Sequence, residues 1–238
     1  MSRNENGAKP SEGEDAKGEN TGKKEEFVLG NPELVLRWRL ASKTLPLENR
    51  HLRALSRRTV MGRPVTSQLI GWAKQHIEWT LFDGAAENPD GVLMIVLDDK
   101  GQAVMTVGPY EPIEQPTLAV LAARAQDALS EARKTGVAPE TLCVSRDNHL
   151  VMGIDRDANV SGAASLISDL ASTVGLSVEY DGELVSRALT GAIDFDEAFL
   201  VSDEHGVVCA SDAGGQLGER FAQGYQKLLD SVDKRHRR

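Results

Sequence analysis

The chain has 238 residues, 40% of them hydrophobic, and 27 Lys and Arg against 36 Asp and Glu, for a net charge of -9. That length and apolar content suffice to bury a substantial core in one large or two small globular domains. No apolar run approaches the roughly 20 residues that cross a bilayer, no signal-peptide pattern precedes the fold, and the acidic balance argues against nucleic-acid binding, so the sequence reads as cytoplasmic with neither membrane nor nucleic acid as a partner.

Between Ser2 and Glu26 there is no Val, Ile, Leu, Met or aromatic residue. Such a segment buries too little apolar surface to offset its ordering entropy, so residues 1–26 are expected to form a disordered tail. Leu36, Trp38 and Leu40 then alternate with Arg37 and Arg39, the period of a strand with one wet face. Leu47–Val60 reads as a helix on which Arg50, Arg53, Arg57 and Arg58 gather into a basic face. A second helix is expected over about Val65–Leu81, with Leu69, Trp72, His76 and Trp79 at spacings of three and four.

The run GVLMIVL over Gly91–Leu97 has little alternation and reads as a strand central in its sheet, returned by the turn Asp98–Gly101 into Gln102–Val107. Thr117–Lys134 is alanine-rich and strongly helical, with Gly136 as its stop. A second hairpin pairs Thr141–Val144 with His149–Ile154. A helix over about Ala163–Val174 and a strand over Leu176–Tyr180 follow. Ala198–Val201 reads as another interior strand, followed by a polar turn ending at Gly206, a strand from Val207, a loop with Gly214, Gly215 and Gly218, and a closing helix marked by Phe221, Tyr225, Leu228 and Val232.

Cys143 and Cys209 sit inside predicted strands and read as free buried thiols, and the five histidines show no metal-ligand spacing, so no metal site is expected. Asp203, Glu204 and His205 share one turn. Acid and imidazole neighbours can form a general acid/base pair, although a solvated surface turn is the plainer reading. The glycine loop could bind an anion through backbone N–H groups, or serve only as a flexible link into the last helix.

The order of these pieces resembles the class IV pyridoxal-phosphate enzymes, which include branched-chain and D-amino acid aminotransferases and aminodeoxychorismate lyase. LENRHLRAL, residues 47–55, is similar to that family's L-x-x-H-L-x-R-L helix; it sets His51 on the histidine and Ala54 on the phosphate-holding arginine, with Arg53 one residue off. Residues 138–153 are similar to its A-D-E-A-L-L-L-D-x-D-G-x-V-x-E-G strip, and Met152 then replaces the glutamate that holds the pyridine nitrogen. Counting back from the helix before that strip, the Schiff-base lysine falls on Glu114 in EPIEQPTL. The nearest lysines are Lys100, in a hairpin turn, and Lys134, at a helix end. SGAASLISDLASTVGLSVEY is similar to the family's P-G-I-T-R helix and following strand, without its proline, threonine and arginine. DEAFLVSDEHG looks like part of its phosphate cup, with Asp203 in place of a threonine.

The resemblance implies a two-domain α/β fold of the D-amino acid aminotransferase type, with domains over 27–110 and 111–235 behind the tail, assembled as a homodimer. It implies no catalytic residue, since Glu114 holds the lysine position. It leaves Arg53, Ser202, Asp203, His205 and Gly206 as ligand-binding candidates for a small anionic ligand. Pyridoxal phosphate enters by resemblance alone, without a covalent link. Three functions are open on the sequence: a diverged, non-catalytic binding or interaction protein; an active pyridoxal-phosphate enzyme whose lysine lies elsewhere; and a roadblock-type dimerisation scaffold, suggested by the hairpin-helix-hairpin order over Gly91–Ile154.

Overall fold

A computed structural model of the chain describes residues 28–236, so the tail expected over residues 1–26 lies outside the described residues. Two sheets carry the architecture. The first is three-stranded and antiparallel: β1 (Pro32–Arg39) pairs with β4 (Val92–Asp98), which pairs with β5 (Ala103–Gly108). The apolar run therefore does lie at the centre of its sheet. Leu34, Leu36 and Trp38 of β1 and Leu93, Ile95 and Leu97 of β4 point to one side, where α1 (Glu48–Leu55) and α2 (Ser67–Asp83) cover them.

Both helices differ from their sequence reading. α1 stops at Leu55, and the residues after it form a small hairpin of β2 (Thr59–Val60) and β3 (Arg63–Pro64), turned by Met61 and Gly62 at positive φ angles of 51° and 70°. In α2 the core-facing residues are Ala73 and Ile77, each one position on from Trp72 and His76, while Trp79 and Phe82 are exposed. Aromatic size dominates the apparent stripe, but two smaller side chains fit the close approach to the sheet.

The second sheet is five-stranded, in the order β10-β9-β6-β7-β8: β6 (Glu140–Arg146), β7 (His149–Met152), β8 (Ser177–Tyr180), β9 (Glu197–Ser202) and β10 (Gly206–Cys209). Only β7 and β8 run parallel, and the crossover they need is supplied by α4 (Gly162–Thr173). β9 is antiparallel to both of its neighbours, and all six of its residues are buried. Alternate residues of β9 face opposite layers. Phe199 and Val201 pack with Ile167 of α4 and Phe221 and Tyr225 of α6 (Gln216–His236). Ala198 and Leu200 pack with Leu121 and Ala125 of α3 (Leu118–Thr135) and with Leu184 and Val185 of α5 (Leu184–Leu189).

The hairpins β4–β5 and β6–β7 belong to different sheets, so the hairpin-helix-hairpin order does not close into one sheet. This removes the roadblock-type scaffold. β1 and β5 occupy the two edges of β4, and β6 pairs with β7 and β9 instead.

Phe199 is fully buried between α6 and the sheet, so Phe199→Ala is expected to lower the unfolding free energy by about 3–5 kcal/mol. Phe82→Ala, at an exposed position, should change it by no more than about 0.5 kcal/mol. Guanidinium denaturation of the two variants checks both values.

Candidate functional site

The β9–β10 connection is a three-residue turn, Asp203-Glu204-His205, closed between the paired residues Ser202 and Gly206. Ser202 Oγ accepts the backbone N–H groups of Glu204 and His205 at 3.2 and 3.1 Å. Gly206 has φ of +71°, and a Cβ there would collide with the ring of Tyr225, so both conformation and space require glycine. Arg39 at the end of β1 donates its N–H to the Asp203 carbonyl at 3.1 Å, which sets the turn at the meeting of the two sheets. The structure thus gathers Ser202, Asp203, His205 and Gly206 in one place. Arg53 is not among them and lies exposed on α1.

Asp203 is buried, not solvated as a plain surface turn would have it. Its Oδ1 accepts the Ala163 N–H at 2.8 Å in the first turn of α4, and its Oδ2 lies 3.6 Å from His51 Nδ1. His51 is itself buried and stacked on Trp38 at 4.9 Å between ring centroids. Gly162 permits the approach, since a Cβ there would stand 2.5 Å from His51 Nδ1. Burial alone would raise the Asp203 carboxyl, but His51, the Ala163 N–H and Arg58 outweigh it and hold it below the usual carboxylate range.

Arg58, read from the sequence as part of a basic helix face, lies past the end of α1. It is 2% exposed and donates to Glu131 Oε1 and Thr135 Oγ1 of α3, each at 3.1 Å. The expected basic face of α1 does not form. Arg50 turns to Ser165 and Asp169 of α4, Arg58 is drawn to α3, and Arg53 and Arg57 are left exposed.

Beside the turn, between β1, α3 and the start of β6, lies a cleft of about 340 Å³ lined in part by Arg37, Arg124, Asp127, Glu131, Glu140 and Glu204. Arg124 grips Glu140 with two hydrogen bonds of 2.9 and 2.8 Å, and its Nη2 also lies 3.0 Å from His205 Nε2. Arg37 reaches Glu204 at 3.4 Å. Burial lowers the His205 pKa and Arg124 adds to that, while Glu204 and Glu140 act the other way, so the ring is neutral at neutral pH. Of the acids in the turn, Asp203 faces His51 and not His205, whereas His205 Nε2 lies 3.9 Å from Glu204 Oε2 as well as 3.0 Å from Arg124 Nη2.

The glycine loop differs from its anion-binding reading as well. Glu197 Oε1 and Oε2 accept the N–H groups of Leu217 and Gly218 at 3.1 and 2.8 Å, so the first turn of α6 already holds a carboxylate. A Cβ on Gly215 would lie 2.8 Å from the Glu197 side chain. Asp212 does the same for α3, accepting the Leu118 N–H at 2.7 Å.

Glu114 is exposed in the segment between β5 and α3, Ala54 is buried in α1, and Met152 is part of the core. Lys100 stands in the β4–β5 turn and Lys134 in the last turn of α3. Among the described residues, no lysine lines the cleft, no group of three or more His, Cys, Asp or Glu is arranged for a metal, and no helix is long and apolar enough to cross a membrane. Both cysteines are free; Cys143 is buried, whereas Cys209 is only partly so.

No family model and no curated protein matches the chain. Solved structures do. The PLP-bound form of a hypothetical aminotransferase from Mycobacterium tuberculosis aligns with a TM-score of 0.56 at 12% identity, over 88% of this chain and 94% of that one. A fold IV transaminase from Curtobacterium pusillum gives 0.54 at 13% identity, over 87% and 86%. A putative 4-amino-4-deoxychorismate lyase from Legionella pneumophila gives 0.52 at 11% identity, over 89% and 96%. At these identities the likeness is one of fold: an α/β architecture resembling the class IV aminotransferases, as the sequence motifs imply.

A carboxylate whose folded-state pKa is depressed contributes stability that is present above its unfolded value, about 3.9 for Asp, and lost as pH falls through the lower folded value. Asp203 is such a group. Asp203→Asn is therefore expected to be less stable than the native chain at neutral pH, with the gap narrowing below about pH 4. Urea midpoints measured from pH 7 to pH 2.5 check it, and a gap that stays constant across that range would refute the assignment.

Proposed function

We propose that the chain is a class IV aminotransferase-like protein that has left pyridoxal-phosphate chemistry and serves as a ligand-binding or interaction protein. In this reading it is a cytoplasmic homodimer whose halves, 27–110 and 111–235, meet at the β9–β10 turn. The observation that carries the reading is the Asp203 carboxylate on the first turn of α4. A helix N-terminus with a buried imidazole and guanidinium nearby is a seat for an anion, and here a side chain of the same chain takes it. A phosphate brought to that point would meet a buried negative charge.

The residues present do not fit pyridoxal phosphate. A carboxylate at position 114 cannot form an imine, and it is exposed in a loop. Ala54 supplies no guanidinium for a phosphate, and Met152 no carboxylate for a ring nitrogen. Lys100 and Lys134 are committed to a turn and a helix end. These departures touch the tether, the phosphate and the ring, so no single restoration rebuilds the site.

The purified protein is expected to develop no aldimine absorbance with pyridoxal phosphate, to yield no borohydride-trapped lysine adduct by peptide mass, and to transaminate no common amino-acid donor. Glu114→Lys should behave the same way. A trapped adduct on any lysine of the native chain would establish instead the reading in which an active enzyme keeps its lysine elsewhere.

A further inference from the structure

A second cleft, of about 360 Å³, opens on the far side of the turn, between the end of β1, the segment after β5, and α6. Its walls include Arg39, Tyr110, His205, Gln223 and Tyr225, and of the described residues that line it none is acidic. That is unusual in a chain with a net charge of -9.

Two of the donor atoms here are buried without a hydrogen-bond partner among the described residues. Arg58, Arg124 and Arg187 are each paired with a carboxylate. Arg39 is not: its guanidinium lies 3.4 Å over the Tyr110 ring, and its Nη1 is buried without a hydrogen-bond partner among the described residues. His205 is the second orphan. Its side chain is 5% exposed, and its Nε2 faces Arg124 Nη2 at 3.0 Å. A guanidinium can only donate, so Nε2 accepts and the ring proton of the neutral imidazole lies on Nδ1. That Nδ1–H is buried and has no partner. Burial also raises the pKa of Tyr110 and of Tyr225, which keeps both hydroxyls protonated as donors. Of the nearby acids, Asp90 accepts the Ser42 N–H, Asp230 accepts from Gln226, and Glu204 is shared with Arg37.

We propose that this cleft is an oxyanion site, in which the Arg39 guanidinium and the His205 Nδ1–H receive the carboxylate or phosphate group of a small ligand. Buried donors without acceptors are destabilising, and an oxyanion supplies acceptors with the complementary charge. The volume suits a small ligand. Val207 and Leu229 give the cleft an apolar floor, which favours a ligand with a short hydrocarbon body. The site rests on the ligand-binding part of the reading above, and supplies it with a chemical class and a location.

The test is a titration of the full-length protein with inorganic phosphate and, separately, with succinate, at ionic strength held constant by chloride. The readout is the His205 imidazole nitrogen resonances, assigned by their loss in His205→Gln. Saturable shifts with either anion, weakened at least tenfold by Arg39→Gln and unchanged by Arg53→Gln, are the expected result. Saturation by one anion alone assigns the group as phosphate or carboxylate. Thermal stabilisation by the same anion, lost in His205→Gln, gives an independent measure should Arg39→Gln fold poorly. Chloride matching both anions, or binding indifferent to both variants, would overturn the proposal. A borohydride adduct with pyridoxal phosphate would overturn the preceding reading and leave this result standing.

Discussion

Among the described residues, three helices begin against a carboxylate carried in from a distant part of the chain: α3 against Asp212, α4 against Asp203 and α6 against Glu197. A helix N-terminus presents unpaired N–H groups and the positive end of its dipole, so each carboxylate both satisfies a donor and gains from the field. Glu197 lies on β9, Asp203 just beyond it, and Asp212 just beyond β10. β9 is buried on both faces between β10 and β6, so it holds Glu197 and Asp203 at fixed positions relative to the helices around it. The arrangement saturates from within the places where an α/β fold commonly offers itself to an external anion.

The same economy governs the arginines. Arg124 is committed to Glu140 by two hydrogen bonds, and Arg58 is buried between the end of α1 and the side of α3, where it ties the first sheet's layer to the second's. The backbone bond from Arg39 to the Asp203 carbonyl makes a further tie at the turn. Arg58 is 2% exposed, so removing its carboxylate partner would leave a buried charge short of compensation. The contact between the two sheets is therefore specified by polar groups whose removal is punished, in addition to the apolar layers.

Local chemistry made some of this legible. The unalternating runs in β4 and β9 indicate interior strands, and both lie between two neighbours; β9 is buried on both faces, whereas Met94 and Val96 leave the second face of β4 half-buried. α3 begins after Thr117 and ends with Gly136 at φ of +85°, as its side chains indicate. The motifs also carried the fold, although a six-residue helix such as α5 is too short to show a period. Partnership was the part that stayed hidden. Nothing in β4 or β6 says which sheet each joins, and the parallel pairing of β7 with β8 is a property of the path through α4. Asp203 was legible as an anion in an anion's place. Its own occupation of the seat is not legible, because His51 and Ala163 are remote in sequence. His205 and Asp203, neighbours in the turn, face different partners for the same reason.

The order of synthesis gives these long-range carboxylates a further meaning. Leu118 and Asp212 are separated by 94 positions, and Ala163 and Asp203 by 40. α3 and α4 leave the ribosome long before the acids that complete their first turns. Until β9 and Asp212 dock, β6 has a bare edge and the first turns of α3 and α4 keep only their local caps, Thr117 and Ser161. The nascent chain must therefore wait with its second layer unlocked, a stage in which exposed strand edges are vulnerable to mispairing. A chain ended before residue 212 would have β9 and β10 but neither the acid that completes α3 nor α6, which covers Phe199 and Val201.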